Sequence, residues 1–397
     1  MVIQNGSDAR YVASSGHIIY AHGSTLRAIA FDAARLRVVG DPASIVDNVR
    51  RANVDGATGT AQFGVSATGM LAYVPGGVPP TYRSLALIDM KGESTVLEVL
   101  PGLNHTPRFS ADGERIAWQG GDGNIWIYDR TGARAKRRLT SDGTSSAPVW
   151  TRDDRIVFRS GRGGDSGLFW QAADGSASAE RLLRSEPGFS DVPTSVSPDG
   201  KTLLFLKRRD PIQRDWPEDS ERDGIWMLPL AGTKTPRRLM ETSRGESHYG
   251  AAVFSPDGRW IVYHAQPGSV TYVEPFPPTG ARHHIPSEQN WSPMWAPDGE
   301  RLLFLTGPRR SRFYAVDILK KDASFEYGPP KRIFDVKTPV NTFGNGGRIA
   351  DMSPDGKYIV AFVANESGSD PQAPSTIDVV LGWLVGLQPP VSTSLLR

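Results

Sequence analysis

The sequence predicts an all-β chain built from repeats, and three observations carry that prediction. A short turn-and-strand unit recurs eight times along 397 residues. The run after each turn is apolar on both faces, as in Leu203-Leu204-Phe205-Leu206 and Ile359-Val360-Ala361-Phe362. No stretch of a dozen residues has helical periodicity, and 42 Gly with 31 Pro make the chain rich in turns.

The turn is clearest at Ser197-Pro198-Asp199-Gly200, Ser255-Pro256-Asp257-Gly258 and Ser353-Pro354-Asp355-Gly356. Ala296-Pro297-Asp298-Gly299 and Ser110-Ala111-Asp112-Gly113 are close variants, and weaker copies turn at Gly16, Gly69 and Asp154. Pro presets φ at the first corner, Asp accepts from the downstream backbone, and Gly takes the left-handed position. The turns recur roughly every 40–60 residues, the period of one four-stranded propeller blade.

The strands follow in order. After the turn comes an apolar run that needs cover on both faces, which neighbouring blades supply. A third strand follows a short loop, as in Ile125-Trp126-Ile127-Tyr128 and Ile225-Trp226-Met227-Leu228. A more polar strand ends the unit, as in Arg137-Arg138-Leu139-Thr140 and Arg237-Arg238-Leu239-Met240, where charge guards an outer edge. The expected architecture is one domain over 1–397, an eight-bladed β-propeller of four-stranded antiparallel blades, with seven blades as the alternative. Its units span about 9–49, 60–99, 105–140, 146–183, 191–240, 248–285, 291–334 and 347–387. The last unit has three strands (347–352, 358–363, 376–381), so Val2-Ile3-Gln4-Asn5 is expected to supply its fourth and close the ring.

Composition narrows the function. Lys and Arg number 45 against 43 Asp and Glu, a net charge of +2 that gives no footprint for nucleic acid. Cysteine is absent, which excludes disulfides, thiolate catalysis and cysteine-ligated metals. No apolar run reaches the ~18 residues of a membrane span, and residues 1–20 carry no legible signal peptide.

The repeats resemble TolB-type propellers, also called WD40-like or PD40 repeats. A wider pattern is similar to the propeller that follows the membrane span in many bacterial serine/threonine kinases. It comprises Gly23-Ser24-Thr25-Leu26, Ala30-Phe31-Asp32, Gly40-Asp41-Pro42, the Val65-Ser66 unit and Glu274-Pro275-Phe276-Pro277. The resemblance implies a sensor-type scaffold in a periplasmic or extracytoplasmic setting. No kinase motif is present, so kinase activity is not implied.

Local motifs for chemistry read as turns. Gly164-Asp165-Ser166-Gly167 lies in a hairpin loop, Gly245–Gly250 lacks the spacing and helix of a nucleophile elbow, and Asp199–Thr202 is a repeat turn. The acidic run 210–223 and the basic Arg309-Arg310-Ser311-Arg312 read as solvated loops. His264, His283 and His284 fall on mid-blade or outer strands and read as structural. The functional expectation lies at the ring's mouth, where residues just before each innermost strand converge. Those are Asp8, Asn104, His105, Asp191, His248, Asn290, Trp291 and Arg348. Asn104, Asn290, Trp291 and Arg348 are expected to bind a ligand. Asp8, His105, Asp191 and His248 are the candidate metal ligands, for calcium or zinc, and His105, Asp191 and His248 the candidate catalytic residues. The leading expectation is a non-enzymatic, monomeric recognition scaffold for a protein, peptide or small molecule. The alternative is a metal-assisted esterase, lactonase or phosphotriesterase.

Overall fold

In a computed structural model, the structure describes residues 6–51, 60–76, 83–99, 102–132, 136–209, 224–241, 248–266, 270–286, 291–306, 311–320, 324–338, 340, 348–364 and 376–383. The chain is all-β, with eight antiparallel sheets and one 3-10 turn at Arg162–Gly164 among the described residues. Its contacts divide it into two compact units, Met1–Thr81 with Glu366–Arg397, and Tyr82–Asn365.

The larger unit holds six sheets. Four of them follow the expected blocks. They begin at His105–Phe109, Ser146–Trp150, Phe189–Val196 and His248–Phe254, and each runs through four consecutive strands. The fifth begins at Trp291–Trp295, and there both Glu326–Tyr327 and Lys331–Asp335 pair with Arg312–Lys320. The sixth is assembled from both ends of the unit: Ala350–Met352, Tyr358–Ala364, Arg83–Asp89 and Ser94–Val96.

These six sheets close a ring. Six separate apolar cores lie between successive sheets, including one between the sixth sheet and the sheet at 105–138. An open row of six would have only five such interfaces. Each sheet is therefore covered on both faces, which is why its middle strands do not alternate. Arg83–Asp89 shows the consequence residue by residue. Leu85 and Leu87 pack in one core, Ala86 and Ile88 in the other.

The innermost strands are sheet edges, and they carry Pro107, Pro148, Pro193 and Pro293. Proline lacks an N–H and is tolerated at an edge that no further strand extends. The turns behave as the sequence predicts. Ser255 Oγ donates to Asp257 Oδ1 at 2.5 Å and accepts from Trp260 N at 3.0 Å, while Gly258 sits at φ 73°.

The smaller unit has one four-stranded sheet (Ser7–Val12, His17–His22, Thr25–Asp32, Arg37–Val46). Its second sheet has three strands: Phe63–Val65, Leu71–Tyr73 and Asp378–Val380. Both sheets share a core that includes Ile19, Leu26, Leu71 and Trp383, and Trp383 Nε1 donates to Gly69 O at 2.5 Å.

Two linear blocks are therefore corrected. The expected unit 60–99 is split, its first two strands staying in the smaller unit while Arg83–Asp89 and Ser94–Val96 complete the sheet of Tyr358–Ala364. The strand expected as third in unit 347–387 pairs instead with Leu71–Tyr73. Arg83–Asp89 is buried on both faces and fits any twice-covered slot, so sequence adjacency does not select its partner. Residues 2–5, the expected closing strand, lie outside the described residues.

Candidate functional site

Three inner strands of the larger unit begin with a bulge. Thr106, Ala147 and Ser292 hold φ near 50°, at 51°, 52° and 49°, and each strand's register shifts there. The bulge turns the start of the strand and sets the side chains at that end of the ring. His105 accepts from Arg83 Nη1 at its Nδ1, 3.4 Å away. Asp191 faces Lys207 across the strand pair and is 1% exposed. Burial raises its carboxyl above the ordinary value, against the pull of the Ser185 side chain and the Lys207 ammonium. Its Oδ1 has no hydrogen-bond partner among the described residues. Lys207 is itself held by Glu186 Oε1 at 2.5 Å and by the rings of Phe189 and Trp226.

Arg348 does not reach outward as a free ligand contact. It is ion-paired to Asp351 Oδ1, while Asp351 Oδ2 accepts from Phe109 N at 3.0 Å. Arg108 donates to Arg348 O at 2.8 Å. Burial, then the Arg348 cation, push the Arg108 guanidinium down to about 9, with Asp351 opposing. This network ties the sheet at 105–138 to the closing sheet and has a structural role.

Of the other expected residues, Asp8 belongs to the smaller unit, where its Oδ2 accepts from Ala61 N at 3.0 Å. His248 and Trp291 open their strands as expected, and Asn290 lies outside the described residues. Among the described residues, no three His, Asp or Glu side chains gather closely enough to hold a metal. Two of the motifs read as turns are turns: Ser166 lies between Arg155–Ser160 and Gly167–Ala172, and Ser197 Oγ donates to Asp199 Oδ1 at 2.5 Å. Residues 245–247, the acidic run 210–223 and Arg309-Arg310 lie outside the described residues, and His248–Gly250 are strand.

Asn104 leads to a different place. It lines a cavity of about 380 Å³ with Val99, Leu103, Trp118, Trp126 and Lys136. The cavity lies beside the segment that links the closing sheet to the sheet at 105–138. Its other wall is the hairpin Gly120-Gly121-Asp122-Gly123, between Arg115–Gln119 and Ile125–Asp129. Both leading glycines are required there. A Cβ on Gly120 would lie 2.6 Å from Asp122 Oδ1 and 2.7 Å from Trp126 Cδ1, and one on Gly121 would lie 2.9 Å from Leu103 Cβ. Trp126 Nε1 donates to Asp122 Oδ1 at 3.1 Å, and Asn124 Nδ2 donates to Asp122 Oδ2 at 3.0 Å. Burial works to raise the Asp122 carboxyl, but the Asn124 and Trp126 hydrogen bonds together hold it below its ordinary value. Sequence reasoning missed Asp122, Trp126 and Lys136. The available signal was the Gly-Gly-Asp-Gly hairpin with an indole on the following strand.

The fold is that of a β-propeller and is similar to that of TolB propellers. A TolB of Agrobacterium tumefaciens superposes with a TM-score of 0.54 at 16% identity, over 72% of this chain and 98% of its own. TolB of Acinetobacter baumannii gives 0.44 at 15% identity, over 90% and 78%. In sequence, the uncharacterized peptidase YuxL of Bacillus subtilis (strain 168) is 27% identical over 197 residues, 40% of this chain. The match spans 29% of the length of that relative. No protein-family model matches the chain. Among the described residues, no helix is long and apolar enough to cross a membrane.

Proposed function

We propose that the chain is a non-enzymatic recognition propeller that seats a small molecule or peptide group in the cavity beside its closing sheet. The observation that carries this reading is the cavity itself: concave, mostly apolar, and walled by side chains that hydrogen bonds fix in place. The resemblance to sensor-type propellers supports it. Asn104 is the expected ligand residue that lines the cavity.

The metal-assisted hydrolase is favoured by one observation, the buried Asp191 carboxylate with an unpartnered Oδ1. Calcium or zinc would supply that chemistry by polarising an ester or phosphoryl oxygen, but a single carboxylate that faces Lys207 does not by itself hold the ion. One experiment separates the readings. Hydrogen exchange of the full chain is followed with a panel of small fragments and short peptides, with and without calcium and zinc. Recognition predicts ligand-dependent, metal-independent protection in residues 99–104 and 118–126. Metal-dependent hydrolysis of esters or phosphotriesters, lost in both His105→Ala and Asp191→Ala, would replace it with the hydrolase.

A further inference from the structure

We infer that this cavity takes a small carboxylate with an apolar body, as a free acid or as the C-terminal residue of a peptide. The inference rests on the recognition reading and assigns its ligand class. Strand register puts the decisive groups on one face of the sheet. Trp118 lies opposite Trp126, Trp126 opposite Arg138 and Tyr128 opposite Lys136, so both indoles and both cations share that face, and Lys136 is the cation that lines the cavity. The indoles are stacked, with ring centroids 6.3 Å apart and planes 20° apart. Trp118 is sunk in the core, and Trp126 is the half-buried, open ring. Leu103, 46% exposed, adds an apolar wall.

The charges of the lining are unequal in their freedom. Asp122 spends its oxygens on Asn124 N, Asn124 Nδ2 and Trp126 Nε1, so it orients the indole. Lys136 is exposed and has no hydrogen bond or ion pair among the described residues. The lining therefore presents an apolar floor beneath an unspent cation. A carboxylate completes Lys136 with a charge-assisted bond, while an apolar body displaces water from the indole and Leu103. An organic cation, which an indole face alone favours, meets the repulsion of Lys136.

The test is calorimetric titration of the full chain with N-acetyl-L-leucine, its amide, and N-acetyl-Gly-Gly-Leu. The acid is expected to bind about tenfold tighter than the amide. That preference falls to near one in Lys136→Met, and Leu103→Asp weakens both probes. Both sites are exposed, and melting curves confirm that the variants fold. A peptide equal to the acid identifies a C-terminal residue as the ligand; a weaker peptide identifies a free acid. Equal binding of acid and amide, or a preference that survives Lys136→Met, overturns the carboxylate assignment. If Leu103→Asp still abolishes both, recognition at the cavity stands. Binding of neither probe overturns the assignment outright.

Discussion

Closure of the six-sheet ring by Arg83–Asp89 can be tested by removing what that strand buries. Leu85 and Ile88 are both fully buried, and they point to opposite faces of the strand. Leu85 packs with Val360 and Phe362 in the core shared with the sheet at 105–138, and Ile88 packs with Met294 and Leu303 in the core shared with the fifth sheet. Truncating a buried Leu or Ile to Ala costs about 2–5 kcal/mol, from lost transfer energy and the cavity left behind. The two sites share no core, so their effects should add, to about 4–10 kcal/mol for the double variant. That is comparable to the whole stability of many domains. The assay is urea unfolding of the full chain followed by tryptophan fluorescence, with Leu36→Ala as control. Leu36 is 73% exposed, and its truncation should cost less than about 0.5 kcal/mol. A Leu85→Ala/Ile88→Ala variant within about 1 kcal/mol of the parent would refute the reasoning, because a strand covered on both faces cannot lose both side chains so cheaply.

The remaining expectations concern single groups. Asp351→Ala leaves Arg108 and Arg348 buried together without their shared carboxylate, and should cost about 3–5 kcal/mol in the same urea assay. Asp191→Asn should stabilise the protein at neutral pH. A carboxyl raised in the folded state binds its proton more tightly there, so its contribution is full at low pH and is lost as pH rises through the folded value. The gain from Asn should therefore shrink on acidification, and a gain that grows instead would reverse the sign of that argument. Gly120→Ala forces a methyl group onto Asp122 and Trp126 and should lower stability by about 1–3 kcal/mol while weakening binding in the cavity, both read by thermal melts with and without probe. A chelator should leave the melting temperature unchanged under the recognition reading, whereas a rise on adding calcium or zinc would favour the hydrolase.

The repeats made most of this fold legible. The Ser-Pro-Asp-Gly turns fold as read because their hydrogen bonds are local, from Ser197 to Asp199 and from Ser353 to Asp355. Strand identity was equally plain, since runs such as Leu203–Leu206 carry their burial in their composition. Pairing across long separations was not legible. Arg83–Asp89 and Asp378–Val380 exchange places relative to the linear blocks, and nothing in either strand names its partner. The candidate site was half legible. Alignment on the turns picked out Asn104, but for the ring's mouth and not for the cavity that it lines. It could not show that Arg348 is absorbed by Asp351, or that a two-glycine hairpin opposite Leu103 would wall a cavity. Those outcomes depend on close packing between segments distant in sequence.

Closure also shapes the cavity, because the segment leaving the sixth sheet contributes Val99, Gly102, Leu103 and Asn104 to its lining. The chain has no cysteine, so a paired substitution reports on one contact alone. Ser84 and Val363 are direct partners in the antiparallel pair between Arg83–Asp89 and Tyr358–Ala364, at a separation that suits a disulfide. The measurement is mass spectrometry of the oxidised Ser84→Cys/Val363→Cys chain after proteolysis. The account predicts an intramolecular disulfide joining peptides that contain residues 84 and 363; two free thiols under oxidising conditions would contradict it.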